Sequence, residues 1–471
     1  MSSKGNRLIF GTYHIIFSCL SLSLILLTFM FFIAPDYSLM TNSMEFVVYL
    51  LVSIIPLVFI GALATKKYKK DDAAGRKIMI TWLALLVCFI LILLFANYWS
   101  SDYSIYLKHW CDQYSELNFN EAFVQTTHIS NYTPVYNYYL IIITKLGINT
   151  LFGIKYLTFL FSILLAFVME KIISMISKND FSFIRFVLLL LIPPILIEYT
   201  SWGQCDAIYV SFCLLSVLFA LKHRSKLSFM FLGLAFAFKL QFLFIVPLLF
   251  LFLIVRDENG ERYIKWKDVW IVFVMYLVNI VPVFFGAGLD DVLFVYFRQS
   301  VYDNRLSGNC PNICYPLMLL CNGNTSAIVV MGIIQTVFTL ALCVFLLYHV
   351  IKHLKSVNYV IDCQNILFIG FVFAFIMVFF MPKMLDRFYF IAMCLIWIIA
   401  FLQKTHKEYC LCGLITLAEF IAMFPTICYL NQIEEVFVLG GFVANMIALV
   451  IIVYTLIVKN REKKQIKIKA E

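Results

Sequence analysis

The sequence predicts an all-α, polytopic membrane protein of about fourteen helices, and three observations predict it. Of 471 residues, 63% are hydrophobic and only 13% are charged, with a mean hydropathy of +0.93. A soluble domain sits nearer half apolar and a quarter charged. Nearly the whole chain divides into apolar runs long enough to enter a bilayer core, which takes ~20 helical residues to cross. The basic residues fall in short clusters between those runs. No polar stretch is long enough to fold as a separate soluble domain, so residues 1–471 read as one membrane domain. The net charge of +9, from 36 basic and 27 acidic residues, would raise nucleic acid as a partner of a soluble protein. Here the basic clusters orient spans, and no nucleic acid is expected.

Residues 8–98 hold the first three spans. The first apolar run, Leu8 to Ala34, is too long for the core of a signal peptide and lacks a cleavage site, so it reads as a retained span. Lys4, Arg7 and the basic loop from Lys66 to Lys77 belong on the cytoplasmic side. The third span, about 78–98, then exits outward, and residues 99–150 form a first large external loop. Within it, YSIYLKHWCDQYSEL alternates aromatics and charges in a helical rhythm suited to an amphipathic helix in the interface.

Residues 151–405 hold the core spans. Lys171 and Lys178, the cluster Lys222 to Lys226, Arg256 to Lys267, Lys352 and Lys355, and Lys404 and Lys407 all assign to the cytoplasmic side. Residues 406–471 add the last spans and a basic cytoplasmic tail. The turn near 200–206, the loop 288–326 and the turn near 382–388 then lie outside, with both termini cytoplasmic. The chemistry is expected on the non-cytoplasmic face of a plasma membrane if the source is bacterial, or of the endoplasmic reticulum if eukaryotic.

The apolar run 227–255 has basic clusters at both ends, which calls for an even number of crossings. Two helices of 12–15 residues reach only ~20 Å, short of the ~30 Å core. The run is either such a hairpin with its tip near Lys239 or one long tilted span with Lys239 mid-helix. In both cases a buried lysine costs ~2.5–3.5 kcal/mol and calls for a partner or a polar cavity.

Most of the 14 cysteines lie in apolar runs, where a cysteine acts as a small hydrophobe. Cys310, Cys314 and Cys321 share one external loop, where a disulfide would suit an oxidising compartment. No paired C-x-x-C motifs suggest zinc.

Four constellations carry candidate chemistry. Asp102, in Ser101-Asp102-Tyr103 after the third span, suits a general base or a helix N-cap. Tyr132 and Pro134 open a short apolar run in which proline fits the first helical turn; Asn131-Tyr132-Thr133 is also a glycosylation sequon. Trp202, Gln204 and Asp206, with Glu198 just before them, form a tight polar turn between two spans, though Trp202 alone suits an interfacial belt. Lys239, Gln241, Arg298, Asp386 and Arg387 place cations where they would suit a lipid-anchored phosphate; Arg387 would equally pair with Asp386 or snorkel. Singly, each has an ordinary structural explanation; together on one face they read as a site.

The motif order resembles the GT-C glycosyltransferases, multi-span enzymes that use polyprenyl-phosphate sugars. The pieces that carry it are SDYSIYLKHW, NYTPVYNYYL, WGQCDAIYVSFCLLSVLFAL, LGLAFAFKLQFLFIVPLL, RQSVYDNRLSGNCPN and KMLDRFYF, spanning about residues 100–390. They look closest to bacterial mannosyltransferases related to the GPI-anchor enzymes, and more distantly like the dolichyl-phosphate-glucose glucosyltransferases of asparagine-linked glycosylation. The resemblance implies a GT-C type bundle with amphipathic helices in the first external loop. It implies Asp102 as general base, Lys239, Arg298 and Arg387 around the donor phosphate, and Trp202, Gln204 and Asp206 near the sugar. The implied reaction is inverting transfer of a hexose, mannose or glucose, from a polyprenyl-phosphate donor to a glycan or lipid-linked acceptor. No cofactor is required by it, and a divalent metal remains compatible with it. This chain departs from the glucosyltransferase branch at Ser104 and Trp110, and from many relatives at Thr133-Pro134 and Leu385-Asp386, which bears on the sugar and acceptor more than on the reaction class. The rival readings are a lipid-linked glycan transporter without chemistry of its own, and a non-catalytic partner in envelope glycan assembly.

Overall fold

With no water in the hydrocarbon core, an apolar run satisfies its backbone hydrogen bonds by coiling into a helix. The computed structural model describes residues 44–71, 73–284, 295–296, 305–428 and 433–470, the side chains of 458–470 excepted. The first apolar run, Arg298 and residues 285–294 and 297–304 of the adjoining stretch lie outside the described residues.

The helices used below are, in chain order, α1 (Met44–Tyr68), α2 (Ala74–Phe95), α3 (Lys108–Glu116), α4 (Pro134–Lys145), α5 (Thr150–Ile176), α6 (Phe183–Leu190), α7 (Pro193–Ile197), α8 (Asp206–Leu221), α9 (Ser225–Phe238), α10 (Val246–Ile254), α11 (Trp270–Phe284), α12 (Thr325–Ser356), α13 (Cys363–Phe380), α14 (Phe390–Gln403), α15 (His406–Cys428) and α16 (Glu434–Ala470). Among the described residues, eight segments are long and apolar enough to cross a membrane, and the bent pair Phe183–Leu190 and Pro193–Trp202, with a 67° break, makes a ninth. α12 is the least covered by the rest of the chain among those spans. Val329, Ile333, Val337 and Val344 along it are exposed, a stripe that water would not tolerate over such length. The chain is a multi-pass membrane protein.

The expected fourteen crossings are not reached among the described residues. Asp206–Leu221, Ser225–Phe238, Leu240–Ile254 and Phe390–Gln403 form helices of 10–17 residues, too short to cross alone. Run 227–255 resolves to the hairpin. α9 stops at Phe238, Lys239 is extended (φ −151°, ψ 141°), and a 3-10 segment, Leu240–Ile245, leads into α10. The two ends of the run meet: His223 Nε2 lies 3.5 Å from Asp257 Oδ2, and Lys265 N donates to Ser225 Oγ at 2.9 Å. A straight helix of that length would hold its ends ~40 Å apart.

The ends of α5, α8, α10 and α14 and the start of α13 gather around one groove of about 830 Å³, lined by Lys178, His223, Asp257, Asp362 and Gln403 among others. This is the basic end of the bundle. The first residue of α8, the tip at Lys239 and the α13–α14 connection lie at the other end.

Helix packing sets tight limits at Gly233. A Cβ there would meet Met275 Cβ at 2.6 Å and the Val272 carbonyl oxygen at 2.8 Å, both on α11. Gly233→Val should therefore lower stability by ~1–3 kcal/mol through overpacking, read by thermal unfolding in detergent. Gly413→Ala, with nothing within 4 Å of its added Cβ, should not.

Candidate functional site

The first site segment follows α2. The carbonyls of Phe95, Ala96 and Tyr98 accept from Lys155 Nζ, at 2.5 Å for Phe95 and 3.1 Å for Ala96. Lys155 is fully buried on α5, a cation placed where a helix C-terminus favours one. The next residues are tied on two more sides. Ser100 Oγ donates to the Trp202 carbonyl at 3.0 Å and Ser101 Oγ to the Thr426 carbonyl at 3.1 Å, while Tyr98 OH donates to the Ile427 carbonyl. Those last carbonyls lie in the final turn of α15, where no intrahelical donor reaches them. Asp102 begins a π-turn, Tyr103–Leu107, but its side chain caps nothing. α3 continues from there, with Trp110, Cys111 and Tyr114 buried and Lys108 and Asp112 exposed.

The second segment is the turn between α7 and α8. A π-turn, Glu198–Trp202, ends on Gly203 at φ 72°, ψ 35°, a left-handed conformation that glycine adopts without Cβ strain. Thr158 Oγ1 on α5 donates to the Gln204 carbonyl at 2.8 Å. This sends Trp202 Nε1 and Gln204 Nε2 to one oxygen, Asp102 Oδ2, at 3.1 and 2.7 Å. Tyr132 OH donates to Gln204 Oε1 at 3.1 Å.

The third and fourth segments bring the cations. Lys239 Nζ donates to Asp206 Oδ1 at 2.7 Å and stands 5.6 and 5.7 Å from the ring centroids of Tyr132 and Tyr209, within cation–π range. The α13–α14 connection is held by a short backbone ladder: Lys383 N to Leu306 O, Gly308 N to Met384 O, and Asp386 N to Gly308 O, at 2.8–3.0 Å. Arg387, thus placed, lies against three carboxylates. Its Nη1 is 3.4 Å from Asp102 Oδ2 and 3.2 Å from Asp386 Oδ1, and its Nε is 3.2 Å from Asp206 Oδ2. Its guanidinium sits 5.1 Å from the Trp202 ring centroid. Thr426 Oγ1 on α15 donates to Asp386 Oδ2 at 3.1 Å. Burial lifts the Asp386 carboxyl to about 7; the Arg387 cation opposes that rise and the Asp102 charge adds to it. Asp102, with its side chain 18% exposed, is the most open of the charged members; the side chain of Asp206 is 0% exposed.

Eight of the residues singled out from the sequence therefore meet: Asp102, Tyr132, Trp202, Gln204, Asp206, Lys239, Asp386 and Arg387. Trp202 is fully buried with its indole N–H in use, which is not the place of a belt residue. Three do not join. Pro134 opens α4 as a first-turn proline. Gln241 is half-buried in the 3-10 segment and bonds to none of the cluster. Arg298 lies outside the described residues. Cys310, Cys314 and Cys321 are free thiols, so the loop carries no disulfide among them. Sequence reasoning passed over Lys155, Thr158, Thr426 and Glu419. A charge inside an apolar run, as at Lys155 and Glu419, was the available signal. Among the described residues no group of three or more His, Cys, Asp or Glu side chains is placed to hold a metal ion. Compared with protein-family models, curated proteins and solved structures, the chain matches none.

Lys155→Met should orphan the three carbonyls it serves, at on the order of 1–3 kcal/mol each. A lowered thermal midpoint checks this, and Asp102, tethered through the same stretch, should lose its fixed position with it.

Proposed function

We propose that this protein is an inverting glycosyltransferase of the GT-C type. It moves a hexose, mannose or glucose, from a polyprenyl-phosphate donor to a glycan or lipid-linked acceptor on the non-cytoplasmic side. One observation carries the reading: a partly open carboxylate, Asp102, is oriented by Trp202 and Gln204 and stands against Arg387, in one network with Lys239. A base beside cations is what displacement at a phosphate-linked carbon needs.

In the reaction, the acceptor hydroxyl gives its proton to Asp102 as its oxygen bonds to the anomeric carbon. The bond from that carbon to the phosphate oxygen breaks, and its electron pair leaves with the lipid phosphate. Arg387 and Lys239 stabilise the charge that gathers there. A single displacement inverts the anomeric carbon. The same cations are already paired with carboxylates, so the donor phosphate binds by sharing or displacing those partners rather than by meeting free charges.

Depth favours a membrane-anchored donor. α8 and α9 run from the basic end to Asp206 and Lys239 in 16 and 14 residues, or ~24 and ~21 Å. Measured against a ~30 Å core, the cluster lies several ångströms beneath the far surface, near the level of a lipid headgroup. With the basic end in the cytoplasm, that surface is the external one.

The broken helices at 190–193 and at Lys239 also suit a transporter, whose sites form at discontinuous helices. Proteoliposomes with a polyprenyl-phosphate hexose and a labelled acceptor separate the two. Sugar appearing on the acceptor supports transfer; lipid-linked sugar crossing the bilayer unchanged supports transport and overturns the enzyme.

A further inference from the structure

Below the ion-paired cluster lies a second polar layer that the reaction does not use. Glu198 precedes Trp202 by four residues, Tyr209 follows Asp206 by three, and Glu419 precedes Thr426 by seven, so each sits one or two helical turns deeper than its site neighbour. All three are fully buried. Among the described residues, both carboxylate oxygens of Glu198, both of Glu419 and the Tyr209 hydroxyl have no hydrogen-bond partner. They are near one another electrostatically: Glu198 feels the charges of Asp206, Lys239 and Arg387, Glu419 those of Asp206, Glu198 and Asp386, and Tyr209 those of Asp206, Glu419 and Glu198.

Five unpartnered oxygens with one proton among them cannot satisfy each other. Water could satisfy their hydrogen bonds but would leave the carboxylate charges unpaired, which a bound cation or a proton on each carboxylate removes. No metal-holding group forms among the described residues, whereas a proton on each glutamate turns two acceptors into two donors. An ionised carboxylate left unpaired in an apolar interior is far costlier than a neutral one. We propose that Glu198 and Glu419 are carried as neutral carboxylic acids in the layer beneath Asp206. The consequence is electrostatic. With both glutamates ionised, five carboxylates would face Lys239 and Arg387, and an anionic ligand would be repelled. With both neutral, three remain. The benefit to an anionic donor rests on the function proposed above; the protonation state does not.

Infrared difference spectroscopy on the full-length protein in nanodiscs, without donor, tests it. The wild type should show carbonyl bands of protonated carboxyl groups that shift in D₂O, one lost in Glu198→Gln and one in Glu419→Gln. Glutamine, which donates a hydrogen bond without charge, should keep the thermal midpoint near wild type, while Glu198→Leu and Glu419→Leu should lower it. Absence of both bands overturns the proposal. So does a rise in the wild-type midpoint with sodium, calcium or magnesium that the glutamine variants lose, since that would mark a cation site. If one variant fails to fold, the wild-type bands and the other variant still decide. Failure of sugar transfer would leave these readouts untouched.

Discussion

Asp102→Asn should reduce sugar transfer by ~10²–10⁴-fold, the usual worth of a positioned general base, while leaving donor binding intact. The two expectations come from different contacts. Asparagine still offers Trp202 and Gln204 a carbonyl oxygen to bond, so the turn that carries them keeps its anchor. It takes no proton from an acceptor hydroxyl, so the attacking oxygen stays poorly nucleophilic. It also removes one of the three anions against Arg387, which should hold or improve affinity for a phosphate. The expected pattern in reconstituted protein is a low kcat with an unchanged or smaller donor KM. A wild-type rate would mean that Asp102 is not the base. A low rate with a raised donor KM would mean that it binds instead.

Much of this arrangement was legible in the sequence, and the part that was not has a physical explanation. Composition sufficed for the membrane, because burial of so many apolar side chains has no other outlet. Charge and length left run 227–255 as either a hairpin or one tilted span, and the break at Lys239 with the meeting of the run's two ends decides for the hairpin. The fourteen expected crossings are not reached among the described residues, because periodicity carries no signal in a run that is apolar on every face; whether such a run makes a 14-residue or a 22-residue helix depends on what packs against it. The joining of Asp102 to Arg387, nearly 300 residues apart, depends on tertiary placement. Lys155 and Thr158 on α5, together with the last turn of α15, hold Asp102 and Gln204 where Arg387 arrives, and no local spacing reveals that. The sequence left Arg387 to a phosphate or to Asp386, and Lys239 to a partner or a polar cavity, since it shows a charge but not its partner.

That pairing makes donor affinity depend on pH. Asp386 and Asp102 both face Nη1 of Arg387, and the Asp386 carboxyl is lifted to about 7, chiefly by burial. Below that pH Asp386 is neutral, and Arg387 answers to one fewer anion. Above it, the ionised carboxylate competes with the donor phosphate for the same guanidinium. A phosphodiester donor keeps its single charge throughout this range, so the titration belongs to the protein. Affinity should level off below pH ~6 and, where only the neutral form binds well, weaken by about tenfold per unit above pH 7, as the competent fraction falls. Stability linked to the same group runs in the same direction. A folded carboxyl raised above its unfolded value of ~3.9 contributes stability that is full below that value and is lost as pH rises through about 7. Asp386→Asn, neutral at every pH, should flatten the dependence of donor affinity while Thr426 keeps a polar partner. Equilibrium binding of a short-chain isoprenyl-phosphate hexose from pH 5 to 9 reads both. A profile unchanged by Asp386→Asn would move the titrating group elsewhere, and a flat wild-type profile would mean that the phosphate does not contend with Asp386 for Arg387.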